Sequence, residues 1–202
     1  MNRLISITGN VGTGKTSLTK ILTQKTGWKP MFEPIDCNPY LIEFYQDMSR
    51  WSFHSNTSFL SHHAYRHLSL LATSISIVQD RSIYEHGEIF AFNAYRQGFM
   101  TKRDWDLYST LYATLKQLLP KPNLIIYLYA SIPTLINRIN QRNLAFDRFT
   151  KSDYISQLNE LYESWIQKID VCPVLFINTE KIDFLNNEKQ INFLFKQIVR
   201  FI

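Results

Sequence analysis

The chain has 202 residues, of which 45% are hydrophobic and only six are glycine and seven proline, a composition that predicts one well-filled globular domain over residues 1–202. The formal net charge of +5 comes without a dense basic run, and no apolar run reaches the roughly 18 to 20 residues that span a bilayer, so we expect anionic small substrates and neither a nucleic-acid nor a membrane partner. Cys37 and Cys172 lie in unrelated contexts, which predicts neither a disulfide framework nor a cysteine metal site and favours the reducing cytoplasm.

Short apolar runs rich in β-branched residues alternate along the chain with segments of helical periodicity. The runs predict buried strands over residues 4–8, 30–33, 75–79, 124–129 and 173–177. The segments between them predict helices over residues 14–26, 39–45, 53–73, 86–95, 102–119, 134–142 and 151–169. Because strand and helix alternate, we expect an α/β fold whose five-stranded parallel sheet carries helices on both faces. The polar stretch at residues 140–153 is predicted to form a mobile lid.

The first predicted strand runs directly into the glycine-rich stretch TGNVGTGKTS. Gly9, Gly14, Lys15 and Thr16 satisfy the phosphate-binding pattern GxxxxGK[ST], with a strand before it and a helix after it. In such a P-loop, backbone N–H groups and the helix N-terminus surround the phosphates, the lysine neutralises them, and the hydroxyl can bind Mg²⁺. The alternative is a glycine turn that merely joins strand to helix. We interpret the stretch as a site for the phosphates of a nucleoside triphosphate.

Charged residues follow two other predicted strands. Asp80 and Arg81 end the third strand, and Glu33 ends the second, where Pro34 stops the strand. Ligands of open α/β sheets bind at this edge. Asp80 is therefore expected to contact Mg²⁺, and Arg81 to hydrogen-bond with a phosphate or with the hydroxyl of the acceptor. Glu33 could accept a proton from that hydroxyl. The structural alternatives are a surface pair of Asp80 and Arg81 that only closes the strand, and an exposed strand-end glutamate at Glu33.

A P-loop also serves GTPases and ATPase motors, and the rest of the chain distinguishes these classes. We find neither a guanine-reading NKxD motif nor a second metal-anchoring motif of the GTPase kind. Motors are normally larger. A phosphotransferase that acts on a small molecule therefore fits the sequence best.

Taken in order, the motifs resemble those of the deoxyribonucleoside kinase family, from the first strand almost to the C-terminus. The matching segments are GNVGTGKTSL (P-loop), FEPI (catalytic Glu-Pro), NPYLIEFYQDMSRWSF (substrate helix), DRSIYE (Glu/Asp-Arg-Ser motif), RINQRNLAFD (arginine lid) and EKIDF (adenine loop). The resemblance implies a P-loop kinase fold and transfer of the γ-phosphoryl group of Mg-ATP to the 5′-hydroxyl of a deoxynucleoside. It also implies a homodimer packed through long helices.

The resemblance further implies a role for each matching residue. Glu33 is expected to be the general base and Arg81 the neighbour that positions the 5′-oxygen and the phosphate. Arg138 and Arg142, four residues apart on one helix face, are expected to close over the phosphates with the lid. The remaining expected contacts are Tyr45 and Asp147 for the 3′-hydroxyl, Thr16 and Asp80 for Mg²⁺, Phe184 for adenine, and Gly9, Asn10, Gly12, Thr13, Gly14, Lys15, Thr16 and Ser17 for the phosphates.

Two regions depart from the family pattern. The family usually reads the base with Gln, Arg and Asp, whereas this chain has Asn56, His63 and His86 at the corresponding positions. The lid has Asn143-Leu144 in place of a glycine and a further arginine, so one phosphate contact is either missing or supplied by Arg148. These departures leave the preferred base open.

Two alternative functions remain at this point. A nucleoside monophosphate kinase also joins a P-loop to an arginine lid, but a carboxylate at Glu33 would repel the acceptor's phosphate. A nucleotide-binding protein that has lost turnover would explain the altered base site, but the presence of Glu33, Lys15 and Asp80-Arg81 argues against it.

Overall fold

A computed structural model describes residues 3–71, 75–142, 147, 151–184 and 187–201. The five strands are β1 (Leu4–Gly9), β2 (Lys29–Met31), β3 (Ile77–Asp80), β4 (Leu124–Tyr129) and β5 (Val174–Asn178). The helices are α1 (Lys15–Thr26), α2 (Leu41–Gln46), α3 (Met48–Leu71), α4 (Ile83–Glu85), a π-helix (His86–Ala91), α5 (Phe92–Arg96), α6 (Lys102–Leu118), α7 (Ile132–Arg142), α8 (Ser152–Ile166) and α9 (Glu188–Val199). A single 3₁₀ turn spans Ile35–Cys37.

The strands form one parallel sheet in the order β2-β3-β1-β4-β5. The predicted five-stranded α/β fold is therefore confirmed. Because β1 lies in the middle with β3 and β4 beside it, the loops after β1 and β3 meet at the same edge of the sheet. This topology brings the P-loop next to Asp80 and Arg81.

Each face of the sheet is covered by helices, as the buried, continuously apolar strands require. One face packs side chains of α1 and α9, including Leu18 and Leu194, against Ile7 of β1. The other face packs α8 and part of α7 against Ile125 and Tyr127 of β4. A third cluster, which contains the fully buried Tyr108, joins α3 to α6 and lies beside the sheet.

Several predicted helix boundaries differ from the structure. Helix α3 begins at Met48, five residues before the predicted start, because Asp47 accepts a hydrogen bond from the Arg50 N–H and caps the helix. The predicted end of this helix at Thr73 lies outside the described residues. Helix α9 was not predicted; Asn187 caps it by accepting a hydrogen bond from the Gln190 N–H.

The helix predicted to begin at His86 begins at Ile83 instead. Ser82 and Glu85 form a capping box, in which the side chain of each residue hydrogen-bonds with the backbone N–H of the other. Residues His86–Ala91 then form a π-helix, a form that adds a residue to the turn and is frequent at functional sites. Strand β2 ends at Met31, two residues short of the predicted Glu33, so Glu33 lies in the loop beyond the sheet.

Most of the predicted lid, at residues 143–146 and 148–150, lies outside the described residues, as does the proposed contact from Arg148. None of the helices in the described ranges is long and apolar enough to cross a membrane.

Candidate active site

A cavity of about 710 Å³ opens at the carboxyl edge of the sheet. Its wall combines the P-loop, the residues that follow β2 and β3, parts of α2 and α3, and the loop after β5. A cavity of this size accommodates small-molecule ligands. The cavity therefore joins, in one space, segments that are far apart in the sequence.

The P-loop follows β1 with the backbone conformation that phosphate binding needs. Gly9 and Gly12 have φ angles of +143° and +86°, and a Cβ atom would lie 2.3 Å from the Leu128 carbonyl oxygen at Gly9 and 2.9 Å from the Leu135 carbonyl oxygen at Gly12. Only glycine avoids both the strained φ and the clash. The glycine pattern is therefore a geometric requirement of this loop.

Lys15 is buried at the first position of α1 and lies inside the loop. Its Nζ donates hydrogen bonds to the carbonyl oxygens of Gly9 and Asn10, at 2.8 and 3.0 Å. Burial, with a smaller contribution from the positive charge of Arg81, lowers the pKa of Lys15 to about 8. An ammonium that is this poorly solvated gains strongly from the arrival of phosphate charge.

The lowered pKa of Lys15 predicts that ATP binding takes up protons above about pH 8. Phosphate charge favours the protonated lysine, so its pKa rises on binding, and the apparent ATP dissociation constant should increase as pH rises from 8 to 9.5. Titration calorimetry at pH 8.5 in buffers of different ionisation enthalpy measures this uptake. The uptake should disappear in Lys15→Met; persistence in that variant would assign the proton to another group.

Thr16 and Asp80 meet at the mouth of the P-loop, and their oxygens are the ligands that Mg²⁺ prefers. The Thr16 hydroxyl donates to Asp80 Oδ2 at 2.5 Å. No described residue hydrogen-bonds with the buried Asp80 Oδ1, and burial raises the pKa of this carboxyl. An orphaned buried carboxylate oxygen beside a hydroxyl fits a divalent cation that also binds nucleotide phosphates. No cluster of three or more acidic, His or Cys side chains suited to a metal occurs among the described residues, so the phosphates would have to complete the coordination.

Arg81 lies at the centre of the charged part of the cavity. Its Nε is 2.7 Å from Glu33 Oε1, its Nη1 donates to the Tyr162 hydroxyl at 2.8 Å, and its guanidinium lies 4.3 Å from the centre of the Phe90 ring. Its own φ is +71°, a strained conformation for a residue with a side chain. Glu33 and Arg81 thus form an ion pair on the wall of the cavity, a contact that the sequence did not predict.

The end of the cavity between α2, α3 and the π-helix is largely apolar and contains two of the three predicted base-site residues. Asn56 and His86 line the wall; Asn56 donates to the Ser52 carbonyl oxygen, and the His86 ring stacks on Phe59 with centroids 5.7 Å apart. No described residue hydrogen-bonds with the buried His86 Nε2. Burial and the nearby Arg81 lower the pKa of His86 to about 3, so the ring is neutral at physiological pH.

His63 does not reach the described cavity wall and lies behind His86, with ring centroids 5.1 Å apart. The Ser6 hydroxyl donates to Gln79 Oε1, which turns the Gln79 amide nitrogen towards His63 Nε2 at 2.6 Å. This amide donates, so His63 Nε2 must be an unprotonated acceptor. Burial, reinforced by His86, lowers the pKa of His63 well below its ordinary value. The geometry does not support the expectation that His63 reads the base directly.

The remaining predicted residues divide between the cavity and its surroundings. Tyr45 lines the cavity, and burial together with the charge of Glu33 raises its pKa to about 12, so its hydroxyl remains protonated. Arg142 lines the cavity and forms a two-point ion pair with Asp147, at 3.0 and 2.5 Å, whereas Asp147 itself is not in the described wall. The predicted Arg142 and Asp147 are therefore bound to each other in this structure.

At the other end of the cavity, α7 and the loop after β5 come together. Arg138 donates to the Thr179 hydroxyl and carbonyl oxygens, at 2.8 and 3.0 Å. The Phe184 ring packs against the P-loop, since a Cβ on Gly14 would lie 3.0 Å from it. Gly12, Thr13, Gly14, Lys15, Thr16 and Ser17 line the cavity, whereas Gly9 and Asn10 support it from behind through their carbonyl oxygens.

Sequence reasoning missed two residues that surround Arg81. Glu85 is completely buried and its Oε1 lies 3.5 Å from Arg81 Nη1. Tyr162 of α8 hydrogen-bonds with both side chains. The S-x-x-E spacing of Ser82 and Glu85 is a recognisable helix-start signal and would have placed Glu85 in the first turn. No local signal indicates Tyr162.

Comparisons with known proteins show which family the chain belongs to. The model of the deoxynucleoside kinase family matches residues 5–202. The chain is 37% identical over 203 residues to the deoxyadenosine/deoxycytidine kinase of Bacillus subtilis (strain 168), covering 100% of this chain and 94% of the relative. It is 32% identical over 196 residues to the deoxyadenosine kinase of Lactobacillus acidophilus, covering 93% and 90%.

The fold is also shared with a solved structure of deoxyadenosine kinase from M. mycoides with the products dCMP and dCDP bound. The TM-score is 0.86 at 25% identity, and the match covers 98% of this chain and 99% of that chain. With a family match over nearly the whole length and a P-loop that lines one cavity together with an acidic and basic pair, the chain belongs to the deoxynucleoside kinase family and is an ATP-dependent deoxynucleoside kinase.

Proposed function

We propose that catalysis by this kinase depends on the Glu33–Arg81 pair, which lines the same cavity as the P-loop lysine. The 5′-oxygen of the deoxynucleoside attacks the γ-phosphorus of ATP, the bond from that phosphorus to the bridging oxygen of ADP breaks, and Glu33 takes the hydroxyl proton. Arg81 and Lys15 oppose the charge on the transferring group. The observation that carries this assignment is the 2.7 Å contact between a carboxylate and a guanidinium on the cavity wall.

The donor site is proposed to hold Mg-ATP on the P-loop, with its adenine beside Phe184. Thr16 and Asp80 would hold the Mg²⁺ ion, whose positive charge neutralises the β- and γ-phosphates when it is bound. Arg138 and Arg142 line the same cavity and are assigned to the phosphates. Both are now bonded to protein oxygens, so we infer that they exchange these partners for phosphate oxygens when ATP binds.

The acceptor is proposed to bind between α2 and α3, with its sugar near Glu33. Tyr45 and Asp147 are assigned to the 3′-hydroxyl, and the protonated Tyr45 can donate to it. Asn56 and the neutral His86 are assigned to the base, and Phe59 and Phe90 supply flat apolar surfaces. The side chains assigned to the base are thus both neutral, and relatives of similar sequence are named as kinases of deoxyadenosine, deoxycytidine and deoxyguanosine.

A phosphorylation assay with the four natural deoxynucleosides and Mg-ATP tests the proposal. The 5′-monophosphate should form from at least one of them, and the deoxynucleoside that reacts fastest identifies the preferred base. Deoxynucleoside monophosphates, offered as acceptors in parallel, should not react, because a second phosphate would lie against Glu33. Binding of ATP without any product would instead support the alternative of a nucleotide-binding protein that has lost turnover.

The base assignment predicts a change of specificity in Asn56→Gln and His86→Asn. Each alters a polar group in the acceptor end, and a lost or misplaced partner for a buried base edge is worth about 1 to 3 kcal/mol, roughly 5- to 150-fold in relative kcat/KM. We expect the ranking of the four deoxynucleosides to change while the KM for ATP remains nearly constant. His63→Arg, behind the wall, should act only indirectly through His86.

His54→Asn is the matched control, because His54 is exposed on the same helix as Asn56. It should leave the ranking unchanged. An equal loss for all four deoxynucleosides in the two cavity variants would show that these positions support the helices rather than read the base.

We also propose that two copies of the chain associate through α3 and α6. Tyr65 of α3 and Leu107 and Leu118 of α6 are 73%, 62% and 64% exposed, which leaves large apolar side chains on neighbouring helices uncovered. Light scattering at several concentrations should give the mass of two chains; the mass of one chain would contradict the proposal.

A cytoplasmic location is proposed from the cysteines. Cys37 and Cys172 both carry free thiols, which fits a reducing compartment. Cell fractionation followed by detection of the chain tests this location.

A further inference from the structure

Glu85 is the only fully buried carboxylate described beside the active site, with a side-chain exposure of 0%. Its Oε2 accepts from the Ser82 N–H at 2.7 Å and from the Ser82 hydroxyl at 3.1 Å. Its Oε1 accepts from the Gly9 N–H at 3.3 Å and from the Tyr162 hydroxyl at 2.8 Å. Both oxygens are thus occupied by donors, one of which belongs to the first glycine of the P-loop.

Tyr162 connects this carboxylate to Arg81. A phenol can donate one hydrogen bond and accept another, and the Tyr162 hydroxyl donates to Glu85 while it accepts from Arg81 Nη1, both at 2.8 Å. The ring is fixed by stacking on Tyr127, with centroids 6.2 Å apart, and by the edge contact with Phe90 at 6.5 Å. The hydroxyl therefore has one well-defined position between an anion and a cation.

Arg81 needs such support because its backbone is strained and its side chain is long. Its φ of +71° is the only positive value among the non-glycine residues described. Glu33, which lines the cavity, contacts Nε, whereas Tyr162 and Glu85, which are not in the described wall, contact Nη1. Without the second set of contacts, the guanidinium could rotate away from Glu33. A displacement of 1 Å at a reacting group can cost about 10²-fold in rate.

We propose that Glu85 and Tyr162 form a buried positioning pair that fixes Arg81 for phosphoryl transfer and ties it to the P-loop through Gly9. The pair does not line the described cavity, so it acts through Arg81 and not on substrate. The chain of contacts runs from α8 through Tyr162 and Glu85 to β1, and it joins the loop that holds ATP to the arginine that faces the acceptor. This inference rests on the proposed role of Arg81.

Tyr162→Phe tests the pair, because it removes only the bridging hydroxyl and retains the ring. We expect kcat to fall about tenfold, while the KM values for ATP and the deoxynucleoside change less than about twofold. Tyr112→Phe is the matched control: that tyrosine is also buried and also donates to a carboxylate, Glu88, outside the active-site cavity. It should retain the parental kcat.

A double-mutant cycle separates positioning from general stability. In an Arg81→Lys background the guanidinium is absent, so Tyr162→Phe should cause no further loss of kcat. Glu85→Gln should resemble Tyr162→Phe, and the double variant should lose less than the product of the two single effects. If Glu85→Gln does not fold, the cycle that combines Tyr162→Phe with Arg81→Lys is sufficient to test the positioning pair.

The outcomes distinguish this inference from the proposed function. An active parent enzyme with a Tyr162→Phe variant of equal kcat would overturn the positioning pair, as would a full additional loss in the Arg81→Lys background. An Arg81→Lys variant as fast as the parent would overturn the proposed role of Arg81 itself.

Discussion

We expect Lys15→Ala to lower kcat by about 10²- to 10³-fold, the magnitude usual for removal of one preorganised charge donor at a reacting phosphate or carbonyl group. Lys15 is buried inside the P-loop, and its Nζ is held by the carbonyl oxygens of Gly9 and Asn10 at 2.8 and 3.0 Å. The ammonium is thus already held inside the loop that is proposed to bind the phosphates. Steady-state kinetics with saturating Mg-ATP measures the loss.

Lys20→Ala is the control for this variant, since Lys20 is an exposed lysine on the same helix. It should keep the parental rate, and both variants should keep a parental melting profile. Near-parental turnover in Lys15→Ala would mean that the stretch GNVGTGKT is not the catalytic loop.

The second large effect is expected in Glu33→Gln, with a fall in kcat of about 10²-fold or more and a smaller change in the KM for the deoxynucleoside. Glutamine preserves the shape and can still hydrogen-bond, but it cannot take the proton of the 5′-hydroxyl. Arg81 keeps its contacts with Glu85 and Tyr162 in this variant, so its position should change little. Steady-state kinetics at several pH values measures the loss.

Asp36→Asn provides the matched control, because Asp36 is an exposed carboxylate three residues away. Its rate and pH profile should equal those of the parent. If Glu33→Gln also keeps the parental rate and profile, Glu33 has only a structural role in the loop after β2.

The sheet and the phosphate end of the site followed from sequence because the signals there are local. The glycines of the P-loop are dictated by φ angles and close contacts within the loop and with its neighbours, so the pattern itself carries the geometry. Asp80 and Glu33 were placed correctly near one sheet edge, since parallel strands all end on the same side. Apolar runs flanked by helical periodicity located all five strands to within about two residues.

Hydrophobic periodicity predicts the wrong helix start where a capping residue or a π-helix is present. Asp47 begins α3 and Ser82 begins α4, and both are ordinary capping residues that periodicity alone overlooks. The π-helix at His86–Ala91 has no sequence signature of its own, because its extra residue is tolerated only through the packing around it.

By itself, the sequence determined the class of fold, the P-loop and the identity of the charged residues at or just after the ends of two strands, because each depends on neighbours within a few positions. Only the tertiary structure decided which side chains share the cavity. His63 lies behind His86, although the sequence predicts that both residues contact the base. It also placed Tyr162 on Glu85, 77 residues away in the chain. These contacts depend on how α8 packs on the sheet. Burial of apolar surface drives that packing and is not directional, so no short sequence pattern specifies which residues of α8 meet which residues of the sheet edge.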